Sequence, residues 1–275
     1  MCEPERLTMG LAHDGLYLYC LVRSDDVSVI GGLGADTETP LLFHTFGGIA
    51  AVFCRVSLQD FCGESGERRL ENLEWVGPMA IRHEEVIEAM MAHSPVIPAR
   101  FGTLFSSPRS LEDLLMRHED VIMGFFDEVA DKTEWAVKGL LDRDLAVQTV
   151  SSAILERESE LLSALPPGKR YFEQKRLKAR ADRSLKVWVD DVSKIVCKDL
   201  LPHVSRFCER KIIVYIRDHH VEEVLNWAFL VPTGSLARFK DRVVQAGGLY
   251  EAKGLIFVLS GPWPPYSFSP LLEMG

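Results

Sequence analysis

One segment, Leu255–Phe268 (LIFVLSGPWPPYSF in one-letter code), constrains the fold more than any other part of the sequence. It begins with an unbroken apolar run, Leu255–Leu259, which predicts a strand buried on both faces in the middle of a sheet. The three prolines that follow lack a backbone donor and fix φ. We therefore expect the strand to stop at Gly261 and a rigid segment, the proline arm (residues 261–268), to follow it.

The proline arm contains three aromatic residues, Trp263, Tyr266 and Phe268. A soluble chain seldom exposes so many aromatic side chains on a free tail, because contact between apolar surface and water is unfavourable. Two interpretations remain open. Either these side chains pack on the C-terminal domain and hold it together, or they form a contact surface for another protein.

The composition excludes several classes of protein. With 275 residues, 47% of them apolar and 26% charged, the chain can build the cores of two ordinary domains and is not intrinsically disordered. A formal net charge of −9 argues against general affinity for nucleic acids or anionic membranes. No stretch approaches the roughly 20 apolar residues that a membrane-spanning helix needs.

The six cysteines are scattered, without a C-x-x-C pair or a histidine at zinc-ligand spacing. We expect reduced, mostly buried thiols and hence a cytoplasmic protein. No metal or other cofactor is expected. The Gly31–Gly34 loop has neither the spacing of a dinucleotide-binding motif nor the Gly-Lys-Ser/Thr end of a P-loop, so a flexible loop is the better interpretation.

The N-terminal part, residues 1–131, has the pattern of a small mixed α+β domain. Strands are predicted at three places, residues 16–22, 41–46 and 49–56. Only Gly47-Gly48 separates the last two, which indicates a hairpin. The polar segment 61–69 predicts a loop.

Two helices are expected in the rest of this part. The first carries apolar residues at i, i+3 and i+4 spacing, and His83 lies on this stripe. A histidine there is more often a hydrogen-bonded core residue than a ligand or a base. Prolines and a glycine interrupt segment 95–105, which should be extended against the sheet. Ser107-Pro108 is a typical start for the second helix, whose amphipathic pattern continues to Val129.

The C-terminal part, residues 132–275, has the element order βαββαβ of a ferredoxin-like domain. Strands are predicted at residues 134–141, 211–217, 225–231 and 255–259. Helices are predicted at residues 142–165, 169–210 and 236–246, the second with a kink at Pro202. The pattern therefore predicts a modified ferredoxin-like domain, with one added helix in the first crossover, that ends in the proline arm.

The start of the long helix, residues 169–186, carries far more basic than acidic residues, although the chain as a whole is acidic. This excess is either a solvated helix face or a docking surface for an acidic partner protein. The candidate partner contacts in this segment are Lys175, Arg176, Arg180 and Arg183. An RNA site has little support, because only Tyr171 and Phe172 are placed to stack on bases.

No catalytic motif is present: the sequence lacks G-x-S-x-G, H-E-x-x-H, Walker and kinase signatures. Paired carboxylates such as Glu84-Glu85 are adjacent in sequence and do not face one site. We therefore expect a binding or structural protein rather than an enzyme. The enzyme alternative needs a deep pocket lined by His83, Arg100 and Glu134.

Five segments, taken together, resemble the gas vesicle proteins of the GvpF/GvpL family. They are Leu16–Tyr19, His83 with Val86, Pro98–Phe105 (PARFGTLF), Glu134–Lys138 (EWAVK) and Gly261–Phe268 (GPWPPYSF). They follow the family's order and span nearly the whole chain, and the last one is the most specific. The residues that match the motifs are expected to be structural: His83, Arg100, Phe101, Gly102, Thr103, Trp135, Lys138, Gly261, Pro262, Pro264 and Pro265.

The resemblance implies a two-domain α+β protein required to build gas vesicles, the hollow, protein-walled buoyancy organelles of some bacteria and archaea. It implies binding to the small, very hydrophobic major shell protein, as a minor vesicle component or as an assembly factor, and it implies neither catalytic residues nor cofactors. The protein would then be found at gas vesicles and in the cytoplasm. Candidate shell contacts are the aromatic residues of the proline arm and sheet edges that accept a strand. As an alternative, the basic helix docks other, acidic assembly proteins.

Overall fold

The computed structural model describes residues 14–27, 40–212 and 221–273. The chain divides into two units, one formed by Met1–Ala130 with Pro264–Gly275 and the other by Asp131–Trp263. Each unit is mixed α+β and contains one antiparallel sheet among its described residues. The predicted α+β class is therefore confirmed. The predicted loop at Gly31–Gly34 lies outside the described residues.

The described part of the first unit has five strands and three helices. The strands are β1 (Asp14–Arg23), β2 (Leu42–Phe46), β3 (Ile49–Ser57), β4 (Val96–Pro98) and β5 (Leu104–Phe105). The helices are α1 (Gly63–Leu70), α2 (Leu73–Met91) and α3 (Pro108–Val129). The sheet has the order β2-β3-β1-β4, and the short β5 also pairs with β1.

The long central strand β1 organises this unit, because both of its faces are buried from Leu16 to Val22. Tyr17 and Tyr19 share one core with the buried side of α2, which contributes Val86, Ile87 and Met90. Helix α3 also packs on the sheet. It begins as predicted, with Pro108 in its first turn and the Ser107 hydroxyl accepting a hydrogen bond from the Ser110 N–H at 3.2 Å.

Helix α1 was not expected, because residues 61–69 were predicted to form a loop. Nearly all of its described side chains are polar and exposed, so it lacks the apolar stripe that predicts a helix. Charged side chains near its two ends stabilise this helix instead. Glu64 lies in the first turn and Arg68 and Arg69 in the last, where they complement the helix dipole.

The second unit has four strands and four helices in its described part. The strands are β6 (Lys132–Asp142), β7 (Arg206–Glu209), β8 (Val221–Pro232) and β9 (Leu255–Trp263). The helices are α4 (Arg143–Arg157), α5 (Ser159–Ser163), α6 (Pro167–Leu200) and α7 (Leu236–Tyr250). The strand order is β7-β8-β6-β9, and all neighbours are antiparallel.

One core joins this sheet to its helices. Trp135 and Val137 of β6 and Trp227 and Phe229 of β8 point into it, because alternate residues of a strand share a face. The helices contribute apolar stripes from α4, α6 and α7. These stripes include Val150, Val189, Val192, Val196, Phe239 and Val243.

Strand β9 lies at the edge of the sheet, so the prediction of a fully buried central strand was wrong. Phe257 and Leu259 pack against the core, whereas Val258 on the other face is 40% exposed. The strand also continues through Pro262 to Trp263 instead of stopping at Gly261. Proline has no backbone N–H to donate to a neighbouring strand. An edge strand tolerates it, because no strand on its free side needs that hydrogen bond.

The long helix ends at Leu200, not at Arg210 as predicted. Pro202 cannot donate to the helical ladder and lies in a short 3-10 turn, Leu201–His203. Residues 206–209 then pair with β8 and form β7. The predicted strand at 211–217 falls mostly outside the described residues, since 213–220 are not described.

The proline arm is shared between the two units. Its first residues, Gly261–Trp263, end β9, whereas the residues from Pro264 onward belong to the first unit. The prediction that the whole arm belongs to the C-terminal domain was therefore wrong. The physical reason is burial within the first unit: Phe268 is only 4% exposed there, and Tyr266 hydrogen-bonds to Glu84 of α2.

Candidate functional site

His83 is buried on α2, and both of its ring nitrogens are hydrogen-bonded. Its Nε2 lies 3.0 Å from the carbonyl oxygen of Ala99, which can only accept, so Nε2 carries the proton. Nδ1 therefore accepts a hydrogen bond from the Tyr17 hydroxyl, 2.9 Å away. The Phe101 ring packs edge-to-face against the imidazole at 5.7 Å. Burial lowers the pKa of His83, which keeps the ring neutral. These are the contacts of a core histidine.

The residues Arg100–Thr103 form a tight turn that is hydrogen-bonded to Tyr17, the partner of His83. The Thr103 N–H donates to the Arg100 carbonyl at 3.1 Å and closes the turn. Gly102 has φ of +81°, which side-chain-bearing residues rarely adopt. Its N–H donates to the Tyr17 hydroxyl at 3.3 Å. The Tyr17 hydroxyl, on β1, thus connects the turn to α2. Burial raises the pKa of Tyr17 to about 12.

Two motifs that are distant in sequence meet at Trp135 and Gly261. Gly261 has φ of +135°, and a Cβ atom there would lie 3.1 Å from the Trp135 ring and 3.0 Å from the Glu134 carbonyl oxygen. The indole N–H of Trp135 donates to the Thr133 hydroxyl at 2.9 Å. The Lys240 ammonium lies 4.1 Å from the ring centroid, a cation–π contact. Glycine therefore allows the end of β9 to pass close to the ring.

Two further residues of β6 form ion pairs. The Lys138 ammonium lies 2.9 Å from the Glu223 carboxylate on β8, and the buried Glu134 pairs with Arg210. Glu134 belongs to the second unit, whereas His83 and the exposed Arg100 belong to the first. The three residues of the enzyme alternative therefore have separate structural roles. Glu134 is an ion-paired carboxylate, His83 is a core imidazole, and Arg100 belongs to a turn.

The three aromatic residues of the proline arm lie in different environments. Trp263 is partly exposed at the end of β9, and its indole N–H donates to the Ser260 hydroxyl at 3.1 Å. The Tyr266 hydroxyl donates to the Glu84 carboxylate at 2.9 Å, and burial together with this bond raises the pKa of Tyr266. Phe268 is buried. Of the three aromatic residues, Phe268 alone is buried, because Trp263 is 39% exposed and Tyr266 is 36% exposed.

Two prolines of the arm are buried, and one of them accepts hydrogen bonds within a turn. Pro264 and Pro265 are buried, whereas Pro262 is exposed. The carbonyl oxygen of Pro265 accepts hydrogen bonds from the N–H groups of Phe268 and Ser269, at 3.1 and 2.9 Å. This turn directs the Phe268 ring into the interior of the unit.

The basic segment of α6 is only partly a free surface. Lys175 and Arg176 are exposed, and Arg176 pairs with Glu173 at 2.9 Å. Arg170 instead caps the preceding helix: its guanidinium donates to the carbonyls of Leu162, Ser163 and Leu165 at 3.0, 3.1 and 3.2 Å. The side chains of Arg180 and Arg183 lie outside the described part of this helix.

In the described ranges, no helix is both long and apolar enough to cross a membrane. Within the same residues, no cluster of three or more His, Cys, Asp or Glu side chains has the arrangement of a metal site.

Comparison with known proteins gives consistent results. A family model described as "Gas vesicle synthesis protein GvpL/GvpF" matches residues 15–270. The chain is 27% identical over 263 residues to gas vesicle protein L of Streptomyces sp. (strain CB03234), with 94% of this chain and 93% of that protein covered. It is 24% identical over 273 residues to gas vesicle protein L1 of Halobacterium salinarum (strain ATCC 700922 / JCM 11081 / NRC-1), with 94% and 91% covered.

Two solved structures have the same fold. The crystal structure of GvpF from Anabaena sp. PCC7120 superposes with a TM-score of 0.64 at 18% identity, covering 94% of this chain and 97% of that one. GvpF from Microcystis aeruginosa gives a TM-score of 0.61 at 17% identity, covering 94% and 99%. The likeness therefore includes both units.

Proposed function

Because this chain belongs to the GvpL/GvpF family of gas vesicle synthesis proteins, we propose that it is a non-enzymatic gas vesicle assembly protein or minor wall component that binds the major shell protein. Family membership supports the general role in gas vesicle assembly. The observation that carries the proposal is the family match over residues 15–270, which includes most of the first unit, all of the second unit and the whole proline arm.

The roles of the motif residues support a function that is not catalytic. His83 and Gly102 hold the first unit together through Tyr17, and Trp135 and Gly261 hold the end of β9. We infer that these motif residues maintain the fold of their own unit. We propose that other residues form the binding surface.

The chemistry of the shell protein explains why a binding partner is needed. A subunit that buries apolar surface in the vesicle wall exposes that surface before assembly and aggregates unless another protein covers it. The chain fits such a role because its charge of −9 keeps it soluble beside an apolar partner.

Co-purification tests this function. The tagged chain is co-expressed with the major shell protein, and the soluble fraction is recovered by affinity to the tag. We expect the shell protein to remain soluble and bound. Failure of the wild-type chain to retain it, under conditions where the chain itself is folded, would exclude shell binding.

We also propose that the two units correspond to the two domains and that the second is a modified ferredoxin-like domain. The support is its strand order, β7-β8-β6-β9, with β6 and β8 at the centre and with α4–α6 and α7 as the two crossovers. The additional helix predicted in the first crossover corresponds to α4 and α5 preceding α6.

A second candidate surface is the start of α6. Tyr171 and Phe172 are exposed there, with their rings edge-to-face at 5.7 Å, close in sequence to the exposed Lys175 and Arg176. Aromatic rings beside cations are suited to an acidic partner protein, because the cations attract it and the rings supply apolar contact. We propose this surface as the dock for other, acidic assembly proteins.

A further inference from the structure

The edge strand β9 lacks the features that normally prevent a sheet edge from pairing with another chain. Its residues, LIFVLSGPW, include no charged side chain. Natural edge strands are usually short, charged or interrupted by proline, because an exposed row of N–H and C=O groups otherwise binds any extended segment. At nine residues, β9 is protected only near its end, at Pro262.

Three other edge strands of the described sheets, β7, β4 and β5, are short, and two of them contain a charged residue or a proline. Strand β7, at the opposite edge of the same sheet, has four residues, and two of them, Arg206 and Glu209, are charged. In the first unit, β4 has three residues and contains Pro98, and β5 has only two. The opposite edge of the first sheet, β2, also lacks charged residues and proline, but it has only five residues. Among the described edge strands, β9 is therefore the longest one without a charged side chain.

On its free side, β9 has no neighbouring strand among the described residues. Among the described strands, β9 pairs only with β6, and its backbone takes part in no turn or loop hydrogen bond between Leu255 and Trp263. Val258 is 40% exposed. The positive φ of Gly261 and the following proline limit the usable edge to Leu255–Ser260.

We propose that the edge formed by Leu255–Ser260 binds an extended, uncharged and apolar segment of the shell protein, which adds to the sheet as a fifth strand. This inference rests on the proposed function. Main-chain hydrogen bonds supply the affinity. The apolar side chains of the edge select a partner without charges, since a charged residue opposite them would lose its hydration.

Charge argues for the shell segment over a second copy of this chain. Each copy carries a net charge of −9, so joining two copies brings like charges together, whereas an uncharged apolar strand meets no such repulsion. Acidic and basic segments find no opposite charge on β9 to pair with. The shell protein is the apolar partner that the proposed function supplies.

A matched pair of substitutions tests the proposal. Val258→Glu places a charge in the middle of the open edge, directly opposite Lys138 in the β6 register, where the opposite charge helps the sheet to tolerate it. Val244→Glu is the control, because Val244 is 72% exposed on α7 and the substitution changes the net charge equally. Circular dichroism and thermal unfolding establish that both variants fold.

The readouts are retention of co-expressed shell protein and hydrogen exchange of the bound complex. We expect V244E to retain shell protein as wild type does, and V258E to retain at least ~10-fold less. In the wild-type complex, amide exchange within Leu255–Ser260 should slow. Equal retention by V258E, or unchanged exchange in this segment, overturns strand addition and leaves the proposed function intact. A wild-type chain that retains no shell protein overturns both.

Discussion

The hydroxyl of Tyr17 donates a hydrogen bond to Nδ1 of His83 over 2.9 Å and accepts one from the Gly102 N–H over 3.3 Å. This single phenol joins a strand, a helix and a turn inside the first unit. The Ala99 carbonyl sets the imidazole tautomer, since it can only accept and Nε2 must donate to it, which leaves Nδ1 as the acceptor for the Tyr17 hydroxyl. The arrangement explains why Tyr17, His83 and the turn residues occur together in one chain.

Replacing Tyr17 with phenylalanine should destabilise the protein. The substitution keeps the ring but leaves the His83 nitrogen and the Gly102 N–H without their partner, which costs about 1–3 kcal/mol. Urea denaturation followed by circular dichroism measures the loss. Tyr171→Phe is the matched control, because Tyr171 is exposed on α6 and should change the free energy of unfolding by less than ~0.5 kcal/mol. Equal stability of the two variants would contradict the network.

The buried His83 should make stability depend on pH. Burial lowers its folded-state pKa below 6.5, so the unfolded chain binds more protons between the two pKa values. The corresponding stabilisation is present above pH 6.5 and is lost as the pH falls through the folded-state pKa. Urea denaturation at about pH 7.5 and about pH 5 should show this decrease. The decrease should be smaller in His83→Gln, which cannot titrate. A parallel pH dependence in the two proteins would refute the assignment.

Substituting Gly261 with alanine should disturb the end of β9. Alanine is strained at φ of +135°, and its Cβ would lie 3.1 Å from the Trp135 ring. We expect a loss of about 1–3 kcal/mol in the free energy of unfolding. Gly124→Ala in α3 is the control, because a Cβ there meets no atom within 4 Å and alanine favours the helix by roughly 0.5–1 kcal/mol. The two substitutions should thus have opposite signs in thermal unfolding.

Removing the Phe268 side chain should destabilise the first unit although the residue lies near the end of the chain. Phe268→Ala leaves a cavity at a 4% exposed position and should cost about 3–5 kcal/mol. Leu271→Ala, only three residues away but 81% exposed, should cost less than ~0.5 kcal/mol. Denaturant titration compares them. If both variants are as stable as wild type, the arm contributes no core residue.

Binding through the start of α6 should be sensitive to salt. Lys175→Glu reverses a charge close in sequence to the exposed Tyr171 and Phe172. Lys194→Glu, the control, makes the same change at another exposed lysine of this helix. We expect Lys175→Glu alone to lose acidic gas vesicle proteins that co-purify with the tagged chain. Raising the salt from ~50 to ~500 mM should release them from wild type, because screening weakens exposed charge pairs. If the acidic proteins stay bound both to the Lys175→Glu variant and to the wild type at high salt, this docking surface is ruled out.

Local patterns predicted much of the fold, because most elements bury one regular face. The stripe around His83, the amphipathic run ending at Val129 and the apolar strand at Trp135 all formed where periodicity placed them. The family resemblance, drawn from motifs such as GPWPPYSF, was also confirmed. His83 was correctly favoured as a core residue, since its neighbours on the helix face are apolar.

The errors concern information that is not local. Whether Leu255–Leu259 is central or at an edge depends on which strands pair beside it, and an apolar run does not encode that choice. Pro262 was the available signal, because proline is tolerated at edges. Residues 206–209 follow a helical pattern and become a strand only by pairing with β8. Phe268 is buried in a unit whose other residues, up to Ala130, lie far earlier in the chain, and a local pattern does not encode that grouping.

The division of the chain has a consequence for its synthesis. The first unit consists of residues up to Ala130 together with those from Pro264 onward, so the whole second unit is translated between its two parts. At roughly 5–20 residues per second, the ribosome takes on the order of ten seconds to bridge that interval. During this time the space for Phe268 is empty and Glu84 lacks its tyrosine partner. The unit whose synthesis starts before that of the other is therefore completed after it.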